Sequence, residues 1–215
     1  VTVTISRTSS QEPSASTGTV RGDLYYGDTV KVTVSVPSTT GRLGTIRATT
    51  VSPNGTTTTI YSITNTNRVY SQSFTGTVYD NLSISATIHR RYAIKLNEGT
   101  GRTITNVKIK SGTTTLTGSA NTTFYAYEGD TITATEGYET GYTSSGSSIS
   151  TPTKSYSHTV DGTYTYNQTD APYFWWKLGQ KNPYTASGEV HIENNTYTMN
   201  GTTQTFYLPT SNHSP

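Results

Sequence analysis

An enzyme needs convergent acids, bases or metal ligands, and the scarce candidates in this chain are its histidines, at positions 89, 158, 191 and 213. None belongs to a His-Glu-x-x-His or comparable ligand spacing, so each reads as an isolated surface histidine. His158 and His191 fall at positions expected to face outward on their strands. Glu189 and Glu193 frame His191, a pattern resembling the paired carboxylates with which a glycosidase protonates its leaving group and activates its nucleophile or water. The sequence offers no matching acidic partner or substrate groove. No Gly-rich phosphate loop opens a helix, and no Gly-x-Ser-x-Gly elbow is present. Asp28 and Asp130 have the hard oxygen ligands that calcium takes, but few acids lie near either. Each follows a glycine, the pattern of an aspartate that shapes a turn. Cysteine is absent, which excludes disulfides, thiolate metal sites and a cysteine nucleophile. No catalytic, cofactor-binding or metal-ligating residue is assigned, and the chain is expected to be non-enzymatic and to need no cofactor.

One cluster remains as a binding candidate. Tyr173, Phe174, Trp175 and Trp176 are consecutive and include both tryptophans of the protein. On a strand, successive side chains point to opposite faces, so at least two of the four face away from whatever the others bury. Three uses follow: a plug between modules, an anchor on a neighbouring subunit, or a ring on which a surface glycan stacks.

The elements that must position these groups are strands. Val30, Val32, Val34 and Val36 alternate with Lys31, Thr33 and Ser35, which sends the valines to a core and the polar residues to water. Gly27-Asp28-Thr29 precedes that run, and Gly129-Asp130-Thr131 repeats the turn and the alternation after Tyr125-Ala126-Tyr127. Two copies predict two modules. Alternating or β-branched runs recur at 1–5, 45–51, 56–63, 69–75, 81–88, 92–96, 103–110, 113–117, 154–160, 163–167, 188–193, 196–199 and 202–208. His89-Arg90-Arg91 is expected to close the first module, and Tyr92 to restart the pattern. Asn54-Gly55, Asp161-Gly162 and Asn200-Gly201 each stand between two such runs and predict hairpins with type I′ turns. Apolar residues never recur at three-and-four spacing for three turns, so no helix is assigned. The chain therefore divides into 1–90, 91–170 and a small β unit with a tail over 171–215. That last unit is too small to bury its own core easily and is expected to dock on the second module or on another chain.

Composition supports this. Only 30% of residues are hydrophobic and 13% charged, yet 17 tyrosines and abundant Val, Ile and Thr separate the chain from disordered sequences. Net charge is +2, and His89-Arg90-Arg91 falls far short of the basic stripe of a nucleic-acid binder. No apolar run has membrane-spanning length, and no signal peptide opens the sequence. The chain begins at Val, as expected of a processed protein or a piece of a longer one.

Short strands with regular turns and no helices point to an all-β protein of tandem antiparallel immunoglobulin-like sandwiches. Tyr92-Ala93-Ile94-Lys95-Leu96, the strand from Tyr127 to Thr135 and Gly137-Tyr138-Glu139-Thr140-Gly141-Tyr142 resemble the divergent internalin-B-type B-repeat of bacterial surface and phage virion proteins. Residues 1–89, with Arg7-Thr8-Ser9-Ser10 and Leu24-Tyr25-Tyr26-Gly27-Asp28, are similar to repeats in structural proteins of phages that infect gut bacteria. The B-repeat's Trp after the Gly-Tyr segment is missing here. The resemblance implies a structural or interaction protein on a virion exterior, as capsid decoration, fibre or tail-associated component, assembled with copies of itself or other virion proteins. The alternatives are a stalk or adhesin fragment on a bacterial cell surface and a carbohydrate-binding module.

Overall fold

The computed structural model describes residues 1–20, 22–139, 142–143, 152–171, 173–178, 187–192, 195–200 and 204–209. Among these the protein is all-β. In chain order the strands are β1 (Thr2–Ser9), β2 (Gly18–Thr19), β3 (Asp28–Ser35), β4 (Gly41–Val51), β5 (Thr57–Thr64) and β6 (Ser71–Val78). β7 (Asp80–Asn97), β8 (Arg102–Ser111), β9 (Thr114–Thr117), β10 (Thr123–Tyr127), β11 (Thr131–Tyr138) and β12 (Tyr142–Thr143) follow. The rest are β13 (Lys154–Thr159), β14 (Tyr164–Asn167), β15 (Tyr173–Leu178), β16 (Ser187–Ile192), β17 (Asn195–Asn200) and β18 (Gln204–Pro209).

β3 does what its alternation predicts: Val30, Val32 and Val34 are fully buried while Lys31 is exposed. It sits in the sheet β2-β1-β3-β6, whose inner side chains meet those of β4, β5 and β7 in one core. Tyr61 of β5 stacks on Phe74 of β6 at 4.2 Å between ring centroids, tying the two sheets together. Each valine so buried contributes about 1.5–3 kcal/mol. A second core draws Ile94 and Leu96 from β7, Ile104, Val107 and Ile109 from β8, and Ile132 from β11.

β7 belongs to both cores. It runs 18 residues without a break, pairing with β4 from Asp80 to Arg90, then with β10 from Arg91 to Lys95. His89-Arg90-Arg91 therefore does not end a strand. Pairing carries the backbone through, because the Arg91 N–H donates to the Thr40 carbonyl (3.0 Å) and the Glu128 N–H to the Arg90 carbonyl (2.8 Å).

The three Gly-containing turns come out differently from the hairpin expectation. β4 and β5 do pair across Asn54-Gly55. The turn, however, is closed by the Gly55 N–H on the Ser52 carbonyl (2.8 Å), with Gly55 at φ 81° and Asn54 at no positive φ. One left-handed residue after the turn marks a type I turn with a glycine bulge instead of type I′, and Pro53, fixed near −65°, suits its first corner. At Asp161-Gly162 there is no hairpin: β13 pairs with β11, while β14 lies parallel to β7 in the other sheet. The chain arches between sheets there, and side chains meet where ladder bonds were expected, His158 on Tyr164 at 3.7 Å and Tyr156 on Tyr166 at 4.7 Å. β17 and β18, which flank Asn200-Gly201, also pair elsewhere, with β16 and β15 respectively.

Candidate functional site

The repeated turn builds the most organised polar constellation among the described residues. In Tyr25-Tyr26-Gly27-Asp28 and in Tyr127-Glu128-Gly129-Asp130, the aspartate N–H closes on the tyrosine carbonyl at 3.0 and 2.9 Å, and the glycine takes φ 81° in both. That is the signature of a type II turn, which requires a residue free to adopt positive φ at its third position. Each aspartate then turns its carboxylate back to accept the tyrosine N–H, at 2.8 Å for Asp28 and 3.0 Å for Asp130. Both aspartates are fully buried. A buried carboxylate needs a cation or several donors, and the two copies find theirs differently.

Asp28 is served from within its own unit. Arg7 Nε donates to Asp28 Oδ2 at 2.7 Å, and the rest of the guanidinium ties down the carbonyls of Ser16 and Asp23 at 3.1 and 2.7 Å. Burial pushes the Asp28 pKa up, but the nearby Ser10 hydroxyl, the Tyr25 N–H and Arg7 outweigh it and hold the group below the ordinary carboxylate value.

Asp130 is served across the joint between the two cores. Arg68, which precedes β6, donates to Asp130 Oδ2 at 3.1 Å, and Ser111 Oγ donates to Oδ1 at 2.5 Å. Arg42 Nε, on β4, approaches Oδ1 to 3.8 Å. Arg68 also lies over the Tyr127 ring, 4.8 Å from its centroid, and donates to Ser111 at 3.1 Å. Tyr127 donates its hydroxyl to the Ser38 carbonyl (2.9 Å) and contacts the Tyr70 hydroxyl at 3.0 Å. Thr113 of the second unit donates its N–H and hydroxyl to Asn67 Oδ1 at 2.9 and 3.1 Å. Arg42 is 4% exposed, and burial lowers its pKa while Asp130 opposes that shift. Burial and the Arg42 charge together depress the His89 pKa.

Chemically this is a clasp. Two guanidiniums and a carboxylate, wrapped in tyrosine rings and hydroxyls, hold two cores in one orientation. Each aspartate closes its own turn and pairs with an arginine, in keeping with the turn-shaping role read from the sequence. Arg7, Arg42 and Arg68 are the residues that sequence reasoning missed. The signal for them was chemical: an aspartate inside an apolar, twice-repeated turn demands a cation.

Tyr173, Phe174, Trp175 and Trp176 lie on β15, the middle strand of the sheet β12-β15-β18. Register sets Tyr173 opposite Pro209, Phe174 opposite Leu208, Trp175 opposite Tyr207 and Trp176 opposite Phe206. Their contacts with the clasp or with the two cores lie outside the described side chains. His191 and Glu189 are on β16, while Glu193 and His213 lie outside the described residues. His158 departs from its expected outward position. Its ring stacks on Tyr164 and its Nε2 is buried, because the arch at Asp161-Gly162 folds β14 over that side of β13.

Among the described residues, fold and clasp define an all-β protein whose two cores are joined through the long strand β7 and a buried charge cluster. No protein-family model, no curated protein and no solved structure matches the chain.

Proposed function

We propose that the chain is a non-enzymatic structural and interaction protein of a bacteriophage virion, built from tandem immunoglobulin-like modules and carried on the particle exterior as decoration, fibre or tail-associated component. The observation that carries the proposal is the joint: an 18-residue strand crosses from one core to the next beside a buried clasp of Arg42, Arg68 and Asp130. Tandem domains joined by a loose linker move relative to each other, whereas this joint holds its neighbours in register. Stiffness of that kind serves a protein whose task is to hold a surface at a fixed distance. The exposed threonines and serines that alternate with the cores keep such a spacer wet, and the resemblance of both turn motifs to virion repeats favours the particle. Its partners are then other virion proteins or further copies of itself, with a surface glycan as a further contact.

The test is fractionation. Particles released from cells that encode the chain are banded on a density gradient, and the protein is located by mass spectrometry and by immunogold labelling. Comigration with particles and gold on their outer surface are expected. Recovery in the soluble fraction alone would overturn the proposal, and recovery in the cell envelope would move the protein to a bacterial surface stalk.

A further inference from the structure

The end of the first unit away from the clasp carries a second constellation. Asp80 opens β7 and Arg90 lies at the joint, so at about 3.3 Å per residue the two ends are roughly 33 Å apart. Two open clefts of about 550 and 370 Å³ meet at the Asp80 end and share Tyr26, Tyr79 and Asp80 as lining residues. The Tyr26 and Tyr79 rings stand 5.5 Å apart at 58°, and Tyr26 is 59% exposed. An exposed ring tilted against a second one offers aromatic surface to the C–H face of a ligand.

The platform is held in place from below. Thr50, 1% exposed, receives the N–H groups of Tyr79 and Asp80 at 3.1 and 3.4 Å and donates its hydroxyl to the Asp80 carbonyl at 2.8 Å. The backbone at Tyr79-Asp80 is thereby fixed, and both residues line the two clefts. Neither the Asp80 nor the Asp23 carboxylate accepts a hydrogen bond from another described residue, and both line the larger cleft. No described lining residue of the two clefts is cationic.

We infer that this tip is a binding site for a neutral saccharide. The Tyr26 and Tyr79 rings match the C–H faces of a pyranose, and the carboxylates accept hydrogen bonds from its hydroxyls. An apolar peptide is a poor occupant for a cleft edged with two carboxylates. An anionic glycan would meet those same carboxylates, and the described lining residues offer it no cation to compensate. The tip lies in the first unit, away from the Tyr173–Trp176 cluster in sequence and strand pairing, and its role does not depend on which particle or cell carries the chain.

The experiment uses the full chain on a glycan array that holds maltotriose, chitotriose, lactose and fucosylated neutral oligosaccharides, with 3′-sialyllactose and a heparin hexasaccharide as the anionic arm. The strongest neutral hit is then titrated by ¹⁵N NMR into wild type, Tyr26→Ala, Asp80→Asn and Trp175→Ala. Expected are neutral signals for wild type, shifts centred on residues 23–26 and 79–82, and a loss of about tenfold or more in affinity for Tyr26→Ala and Asp80→Asn, with circular dichroism unchanged. Trp175→Ala should bind as wild type. Silence of wild type on the neutral arm, binding confined to the anionic arm, or full affinity in Tyr26→Ala would each overturn the inference. So would loss of binding in Trp175→Ala alone, which would move the site to β15.

Discussion

Arg68 in the first unit reaches Asp130 in the second at 3.1 Å, whereas Arg7 reaches the equivalent Asp28 within its own unit at 2.7 Å. One turn motif therefore supplies an internal brace in one copy and a lock between the two cores in the other. The difference arises because β7 delivers the second turn directly beside β4 and the segment before β6, where Arg42 and Arg68 wait.

Removing the carboxylate from the lock should leave the buried Arg42 and the half-buried Arg68 guanidiniums without their counter-charge. Asp130→Ala is expected to cost about 3–5 kcal/mol, the range seen when one partner of a buried pair is deleted. Urea denaturation should also split into two transitions as the cores uncouple. Adding Arg68→Met to Asp130→Ala should recover part of the loss, because the strain lies in the unpaired charge. A single unshifted transition in Asp130→Ala would refute the lock.

Asp28 sets an acid limit on the first unit. Its folded pKa lies below the unfolded value of about 3.9, so its contribution is complete above that pH and is lost as pH falls through the folded pKa. Asp28→Asn should therefore be markedly less stable than wild type at pH 7, and the gap should shrink as both are titrated below about pH 4. Denaturation midpoints measured from pH 7 to pH 2 test this; a constant gap would contradict it.

His89 acts in the same direction at higher pH. Its folded pKa is depressed, so the unfolded chain binds the proton first, and stability should fall as pH drops from about 6.5 toward the folded value. Imidazole NMR signals should place His89 below the ordinary histidine value, and Arg42→Ala should raise it by relieving the nearby positive charge. His89→Gln should flatten the stability profile in that window.

The second core carries its own buried acid. Glu136 is 4% exposed and accepts from the Tyr166 hydroxyl, whose pKa is pushed up to about 12 by burial, then by that bond and the Glu136 charge. Tyr166→Phe keeps the ring on Tyr156 but withdraws the donor, at an expected cost of roughly 1–3 kcal/mol. Equal stability of Tyr166→Phe and wild type in urea would rule the bond out as a support.

Much of this architecture was legible in local pattern. The valines of β3 announced their own burial, Asn54-Gly55 announced the β4–β5 pair, and the repeated Gly-Asp-Thr announced two equivalent turns. Less legible was any choice among partners. Asp161-Gly162 says that the chain reverses and leaves open whether the next strand joins the same sheet or the opposite one, since both need the same loose backbone. His89-Arg90-Arg91 looked like a break because charge seldom continues a buried strand, yet Arg90 turns to solvent and His89 is half-buried near the Arg42 charge, while the backbone of all three stays in the ladder.

By itself the sequence determined where strands and turns form and, on β3, which face turns inward, because these follow from steric and solvation preferences within a few residues of each position. Only the tertiary structure decided that Asp130 would be neutralised from another unit, that β14 would lie parallel on β7, and that Tyr26 would come to stand beside Tyr79. Those outcomes depend on which distant surfaces exclude water together, and no residue's immediate neighbours in the chain encode that.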